Sequence, residues 1–253
     1  MSKKISINYL QIVCLLLICY FILGGKSYAL SPNDTTSINY FDISNNFRID
    51  VSFFLGSGLE EFDVFKTTGD EIVKLSPGGG FGGKFSFGYC LNSPLNVNIE
   101  VGTQNSTLSE ELKNADGKFS RTFFLGTLRY KIPITEKSSI NIGGGLGYYI
   151  SGKLDIDASE IEDGGHNIYK YKNTIGIHVI CEYEHFLPKF SFLNARWSWA
   201  IGLKYYNIAY ELDSATSDGV SIPITNLPSD IKVEVEELNG SGIDVLFSTI
   251  MYF

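Results

Sequence analysis

Side-chain catalysis needs a base or nucleophile with a partner that activates it, and histidine is the first place to look. This chain of 253 residues has three, His166, His178 and His185. His178 lies in a stretch that alternates apolar and polar residues, and Ile180 stands two residues on, where a hydroxyl partner on the same face would have to be. It reads as a hydrogen-bonded interior histidine. His166 lies in an acid-rich segment and His185 beside the turn at Pro188. No Ser/His/Asp arrangement is visible, so no catalytic residue is assigned. The acid-rich segment reads DIDASEIEDGGH from Asp155 to His166. It matches a calcium loop only in its acidity: Glu160 holds the sixth place, which needs Gly, and His166 the twelfth, which needs Glu. Asp155, Asp157, Glu160, Glu162 and Asp163 therefore read as a solvated acidic loop, with loose Ca²⁺ binding as the alternative. The run GGGLG from Gly143 to Gly147 sits in a strand with no helix after it, so it is no phosphate cradle. No cofactor and no metal-ligand set is expected.

The remaining polar chemistry is a set of charges that share one face of alternating segments: Arg48, Asp50, Lys84, Glu100, Arg129, His178, Glu182, Glu184, Arg196, Lys204 and Asp244. Depth along the strands pairs Glu182 with Arg196 across the turn at Pro188, Glu100 with Arg129, and Lys204 with Asp244. Charges held inside a narrow barrel must pair, because an unpaired one costs several kcal/mol. Glycines on the same face (Gly82, Gly88, Gly143, Gly145, Gly147, Gly176, Gly202) make room for the long side chains. The set reads as a structural polar plug; the alternative is a permeation path.

Eight strands must carry these residues. Period-two alternation recurs from Phe47 to Phe53, Phe81 to Leu91, Leu95 to Val101, Arg121 to Ile132, Ile140 to Ile150, Tyr171 to Glu184, Arg196 to Tyr205 and Gly242 to Phe253. The sixth strand sets Tyr171 on its apolar face and Lys172 on its polar one. The links near Asn92, Pro133 and Pro188 are short; those at 57–77, 105–118, 152–168 and 211–240 are long and polar. Short turns alternating with long loops are the layout of an all-β, eight-stranded, antiparallel, transmembrane up-and-down β-barrel with four outer loops. The final strand ends on an aromatic, Phe253, and Tyr89, Tyr130, Tyr183, Trp197 and Phe253 fall near one edge as an aromatic girdle. A secreted soluble barrel is the alternative.

The N-terminus reads as a secretory signal peptide over residues 1–29. Lys3 and Lys4 precede the apolar core Ile12 to Leu23, and Ser27-Tyr28-Ala29 offers a cleavage point. Residues 30–46 read as a periplasmic lead-in and 47–253 as the barrel. Loss of Lys3, Lys4 and Lys26 takes the net charge from -8 to -11. The four long connections carry five acids against two bases, three against two, five against one, and seven against one, or -14 in all, which leaves +3 for the rest. Such charge keeps loops soluble and steers basic partners. A sequence pI near 4.9 argues against nucleic acid as a partner. The mature segment keeps Cys90 and Cys181, expected on opposite strand faces as free thiols.

From Phe47 to Phe253 the chain resembles the small eight-stranded outer-membrane barrels of the OmpA/OmpX type, in strand count, loop alternation and the terminal aromatic. More loosely, in its Lys-, Asn- and Ile-rich composition, it is similar to the surface-antigen barrels of rickettsia-like intracellular bacteria. The resemblance implies an outer-membrane location, the lipid bilayer as the main partner, and outer loops that contact host or extracellular proteins. It carries over no functional residue. The function expected is that of a surface-exposed, non-enzymatic outer-membrane barrel. The alternatives are a narrow porin-like channel and a lipid A-modifying enzyme.

Overall fold

The structure is a computed structural model that describes residues 46–66, 72–92, 94–109, 112, 114–160, 165–188, 195–228, 231 and 234–253. The signal segment and all but the last residue of the lead-in lie outside these residues.

Eight long strands close a barrel: β1 (Phe47–Gly58), β4 (Gly80–Cys90), β5 (Leu95–Thr107), β6 (Asp116–Thr135), β7 (Ser138–Asp157), β9 (Thr174–Phe186), β10 (Arg196–Asn207) and β14 (Gly242–Tyr252). Each pairs antiparallel with the next, and β14 returns to β1 with Arg48 opposite Tyr252 and Gly58 opposite Gly242. Reciprocal backbone bonds between Phe47 and Phe253 fasten the seam at the terminal end. Closure satisfies every edge, as a strand protein in lipid requires.

The two faces are inverted relative to a soluble barrel. Outward positions carry Val51, Phe53, Leu55, Phe85, Ile99, Leu128, Leu146, Ile175, Ile177, Val179 and Phe247, all exposed, while Arg48, Arg129, Glu100 and Glu184 are almost wholly buried inside. Water would penalise that outer belt and lipid does not. An even count of strands with this polarity makes the chain a membrane-spanning barrel of the bacterial outer-membrane type. Toward the terminal edge Phe47 stacks on Phe87 at 5.5 Å, and Tyr183 packs on Trp199 at 5.8 Å, forming the aromatic girdle. Cys90 is buried on the inner face and Cys181 half-buried on the outer, both free.

The opposite end departs from the expectation of loops. Strands β6 and β7 run 20 residues each, well past the lipid belt. Beyond a bulge at Ser151 (φ 56°), β7 leaves β9 and pairs instead with β8 (His166–Tyr171). β8 pairs with β11 (Ala209–Ser217), which is flanked by β12 (Val220–Ile222) and β13 (Glu237–Asn239). In the first connection β2 (Phe62–Lys66) and β3 (Ile72–Leu75) form a hairpin. A bridge from Leu75 to Leu108 ties it to the second connection. The apolar side chains of this extension, including Leu75, Phe119, Leu154, Tyr169, Tyr171, Tyr210, Leu212 and Leu238, form one core with Phe54, Phe123, Leu125 and Leu246 of the barrel. Tyr171 therefore does not face lipid; it packs 6.0 Å from both Phe119 and Tyr210. Lys172 is not luminal either: it is exposed and bonds Glu211 at 2.5 Å.

Candidate functional site

The barrel interior is the chemically dense part of the molecule. Alternation delivers one luminal side chain every second residue, and eight strands give a bore that side chains alone can fill. From the terminal end upward the filling is layered.

In the lowest layer Lys131 Nζ lies 2.9 Å from Glu184 and donates to the Tyr252 hydroxyl at 3.0 Å. Glu184 also accepts from Tyr252 at 2.8 Å, Ser198 at 2.5 Å and Asn141 at 2.9 Å. Above it sits a fused ion cluster. Arg48 grips one oxygen of Asp50 through Nε (3.1 Å) and a terminal nitrogen (2.8 Å). Arg129 spans the bore, reaching Glu182 and Glu100 at 2.6 Å each, with Asp50 at 3.6 Å. Lys84 closes on the other oxygen of Glu100 at 2.5 Å. The three cations Arg48, Lys84 and Arg129 thus balance the three anions Asp50, Glu100 and Glu182, and Lys131 balances Glu184. Removing any one member would strand a charge in a low-dielectric interior.

The next layer holds His178. Its Nε2 lies 2.9 Å from the Thr127 hydroxyl, which in turn donates to Glu100 at 3.1 Å. Glu100 is gripped by two cations and so accepts only. Thr127 must therefore spend its proton on Glu100, and His178 Nε2 must carry the proton it shares with Thr127. The relay runs opposite to nucleophile activation, where histidine takes the hydroxyl proton. Nδ1 is left without a protein partner.

At the top of the bore Lys204 pairs with Asp244 at 2.9 Å while lying over the rings of Phe54 and Phe123. The other Asp244 oxygen accepts from Gln104 (3.0 Å) and lies 3.1 Å from the Tyr206 hydroxyl, whose single proton it shares with the closer Gly78 carbonyl. Gln104 turns its carbonyl to Arg121, which also donates to the Gly240 carbonyl at 2.7 Å and lies over Tyr206 at 4.6 Å.

Of the sequence-derived pairs, Glu100 meets Arg129 and Lys204 meets Asp244. Glu182 does not meet Arg196. The register sets Glu182 opposite Gly202, six residues from Arg196, or about 20 Å along the strand. The connection 187–195 is longer and less symmetric than a turn at Pro188, which displaces Arg196 to the terminal rim. There its guanidinium lies 5.9 Å from the Phe186 ring, half-exposed. Arg48, Glu100, Arg129, His178, Glu182, Lys204 and Asp244 lie inside the bore; Arg196 is outside the ion cluster. Missing from the sequence reading as network members were Lys131, Tyr252, Gln104, Arg121 and Tyr206. Parity marks Lys131 and Arg121 as luminal, but it says nothing of neutral Gln and Tyr as partners.

On the outer extension Asp155 receives Lys153 Nζ at 2.6 Å and His166 Nε2 at 2.7 Å, joining β7 to β8. Burial works against the Asp155 carboxylate, yet the hydrogen bonds from Lys153 and His166 outweigh it and hold the group below its usual range. Asp157 is turned to the Ser159 hydroxyl at 2.7 Å. Glu162 and Asp163 lie outside the described residues. Among the described residues no group of three or more His, Cys, Asp or Glu is placed to hold a metal ion.

No protein-family model matches the chain, and no curated protein matches it. Solved structures do. The outer-membrane protein OprG from Pseudomonas aeruginosa aligns at 13% identity and TM-score 0.48, over 83% of this chain and 96% of that one. Neisserial surface protein A (NspA) aligns at 12% and 0.42, over 81% and 94%. Ail, the attachment invasion locus protein of Yersinia pestis, solved with the heparin analogue sucrose octasulfate, aligns at 11% and 0.40, over 83% and 99%. These are likenesses of outline, and none carries a function across. The looser resemblance to rickettsia-like surface antigens gains no support from them. What the chain resembles, across most of its length, is the small outer-membrane β-barrel.

Proposed function

We propose that this chain is a non-enzymatic surface protein of the outer membrane whose outer β-extension meets host or environmental factors. One observation carries the reading. The loop end is a built platform of strands whose apolar core continues that of the barrel, standing beyond the lipid belt, where a barrel needing only closure could end in short turns. Its surface is acidic, so a partner with a basic face would be steered to it. The channel alternative loses support from ion pairs that cross the bore and from luminal side chains that are almost wholly buried. The lipid A-modifying alternative loses support at His178, which donates to the Thr127 hydroxyl.

The test displays the full chain and a variant with 218–236 replaced by a short Asn-Gly turn on a non-adherent bacterium, at matched surface density and with heat-modifiable folding checked for both. Retention on host-cell monolayers should rise with the full chain, fall back with the variant, and weaken as salt increases. Equal retention by both would overturn the proposal.

A further inference from the structure

The outer face of β6, β7, β8 and β11 changes character just above the lipid belt. On β7 the apolar outward side chains end at Tyr148 and Ile150. Lys153 stands about 10 Å further along the strand, and less in height because barrel strands tilt. Lipid headgroups occupy roughly 5–7 Å outside each face of the hydrocarbon. Lys153 therefore stands at their level, where a long side chain can lay its stem on the belt and its ammonium among the headgroups.

Strand pairing sets a row across four strands at this height: Ser120, Lys153, Lys170 and Ser214. All four face outward, because Phe119, Arg121, Leu154, Tyr169, Tyr171 and Ala215 beside them are buried inside. Two lysines directly opposite each other repel, and such a pair weakens a sheet that holds no counter-charge for it. Lys153 bonds Asp155, which His166 also holds. Among the described residues no carboxylate comes within 4.0 Å of Lys170. In the next row Lys118 is exposed opposite Asp155 and equally lacks a carboxylate within that distance. Lys172 is a different case, since Glu211 cancels it. Two adjacent rows thus hold three ammoniums against one carboxylate, although the long connections as a whole are acidic. Asp116 and Asp157 come only one row higher, on the water side.

We propose that this outward face of β6, β7 and β8 is a docking surface for the phosphate groups of outer-leaflet lipids, with Lys118, Lys153 and Lys170 supplying the charge and the Ser120 and Ser214 hydroxyls neutral donors. The surface continues the lipid interface directly. Acyl chains lie against Phe124, Tyr148 and Ile150, and the phosphate of the same lipid reaches the lysines above them. An anion between Lys153 and Lys170 turns their repulsion into a shared attraction. The surface does not rest on the platform's meeting a host partner, and either can fail without the other.

The experiment folds the full chain in phosphatidylcholine vesicles, alone or with about a third of the lipid replaced by phosphatidic acid, and follows thermal unfolding near neutral pH. Wild type should melt higher with phosphatidic acid, although the chain as a whole is negative. Lys170→Gln relieves the like-charge pair, so in phosphatidylcholine alone it should melt no lower than wild type. With phosphatidic acid it should fall below wild type and lose at least about half of the rise. Lys118→Gln should lose part of the rise, and Lys170→Arg, which keeps the charge, should retain it. About 0.5 M salt should shrink the wild-type rise toward that of Lys170→Gln. Inorganic phosphate added to phosphatidylcholine vesicles should not reproduce it, because no acyl chain then holds the anion against the belt. Three results would each overturn the proposal: no rise in wild type, an equal rise in wild type and Lys170→Gln, or the same rise with inorganic phosphate alone.

Discussion

Arg129 is the residue on which the interior turns, because it alone reaches Glu182, Glu100 and Asp50. Replacing it by Ala would leave three buried carboxylates to two cations, with Glu182 facing only Arg48 at 4.0 Å, and should cost about 3–5 kcal/mol in urea unfolding of the detergent-folded barrel. Arg196→Ala, at the half-exposed rim, should cost less than about 1 kcal/mol by the same measurement. An inverted order of the two would restore Arg196 to the ion cluster. The residue scale also sets a pH response in the extension. The Asp155 carboxyl is held below its usual range when folded, so its contribution is complete above the unfolded carboxylate value and is lost as pH falls through the lower, folded one. The Lys153–Asp155–His166 clasp is part-exposed, so the effect is at most about 1 kcal/mol. Protection of the β8 amides, relative to the intrinsic exchange rate at each pH, should fall below about pH 4 in wild type and change least in Asp155→Asn, since that variant has no carboxylate to titrate. A pH-independent β8 in wild type would refute the assignment.

Strands were legible because lipid outside and charge inside impose the same period of two on every one of them. Register was not. It depends on how many residues each turn consumes, and nothing in the sequence near Pro188 marks the connection as reaching residue 195. That single uncertainty misplaced Arg196, whereas Lys204 and Asp244 were placed correctly because β10 and β14 pair in the expected register. The outer strands were hidden for another reason. β8 and β11 do alternate, through Tyr169 and Tyr171 and through Tyr210 and Leu212, but acids dominate around them. No Gly or Pro marks the break at Lys172-Asn173, so Tyr171 was read as the start of β9. Strand packing can be probed with two glycines of β6 and β7. A Cβ on Gly145 would fall 1.8 Å from the Gly126 carbonyl oxygen, whereas one on Gly126 meets nothing within 4 Å. Gly145→Val should cost about 3 kcal/mol or more, or prevent the heat-modifiable form. Gly126→Ala should change stability by no more than about 0.5 kcal/mol. Equal tolerance of both would contradict the tight β6–β7 approach.

For the molecule as a whole, the belt, the filled bore and the strand-built platform divide the chain into three levels, each with its own solvent: lipid, itself and water. The topology predicts that proteinase K added to intact cells cuts within 218–234, where Asp218, Gly219 and Val220 are exposed, and spares the turn at Asn92 and the connection 187–195. Protection of the former with cleavage of the latter would invert the barrel. The most direct test of the central claim, that a membrane barrel of this size is closed by its own charges, is a planar-bilayer recording of the wild-type monomer. The layered ion pairs predict no steady unitary conductance across the voltages the bilayer withstands. A stable, reproducible conductance through single monomers would contradict the filled lumen and turn the account toward a channel.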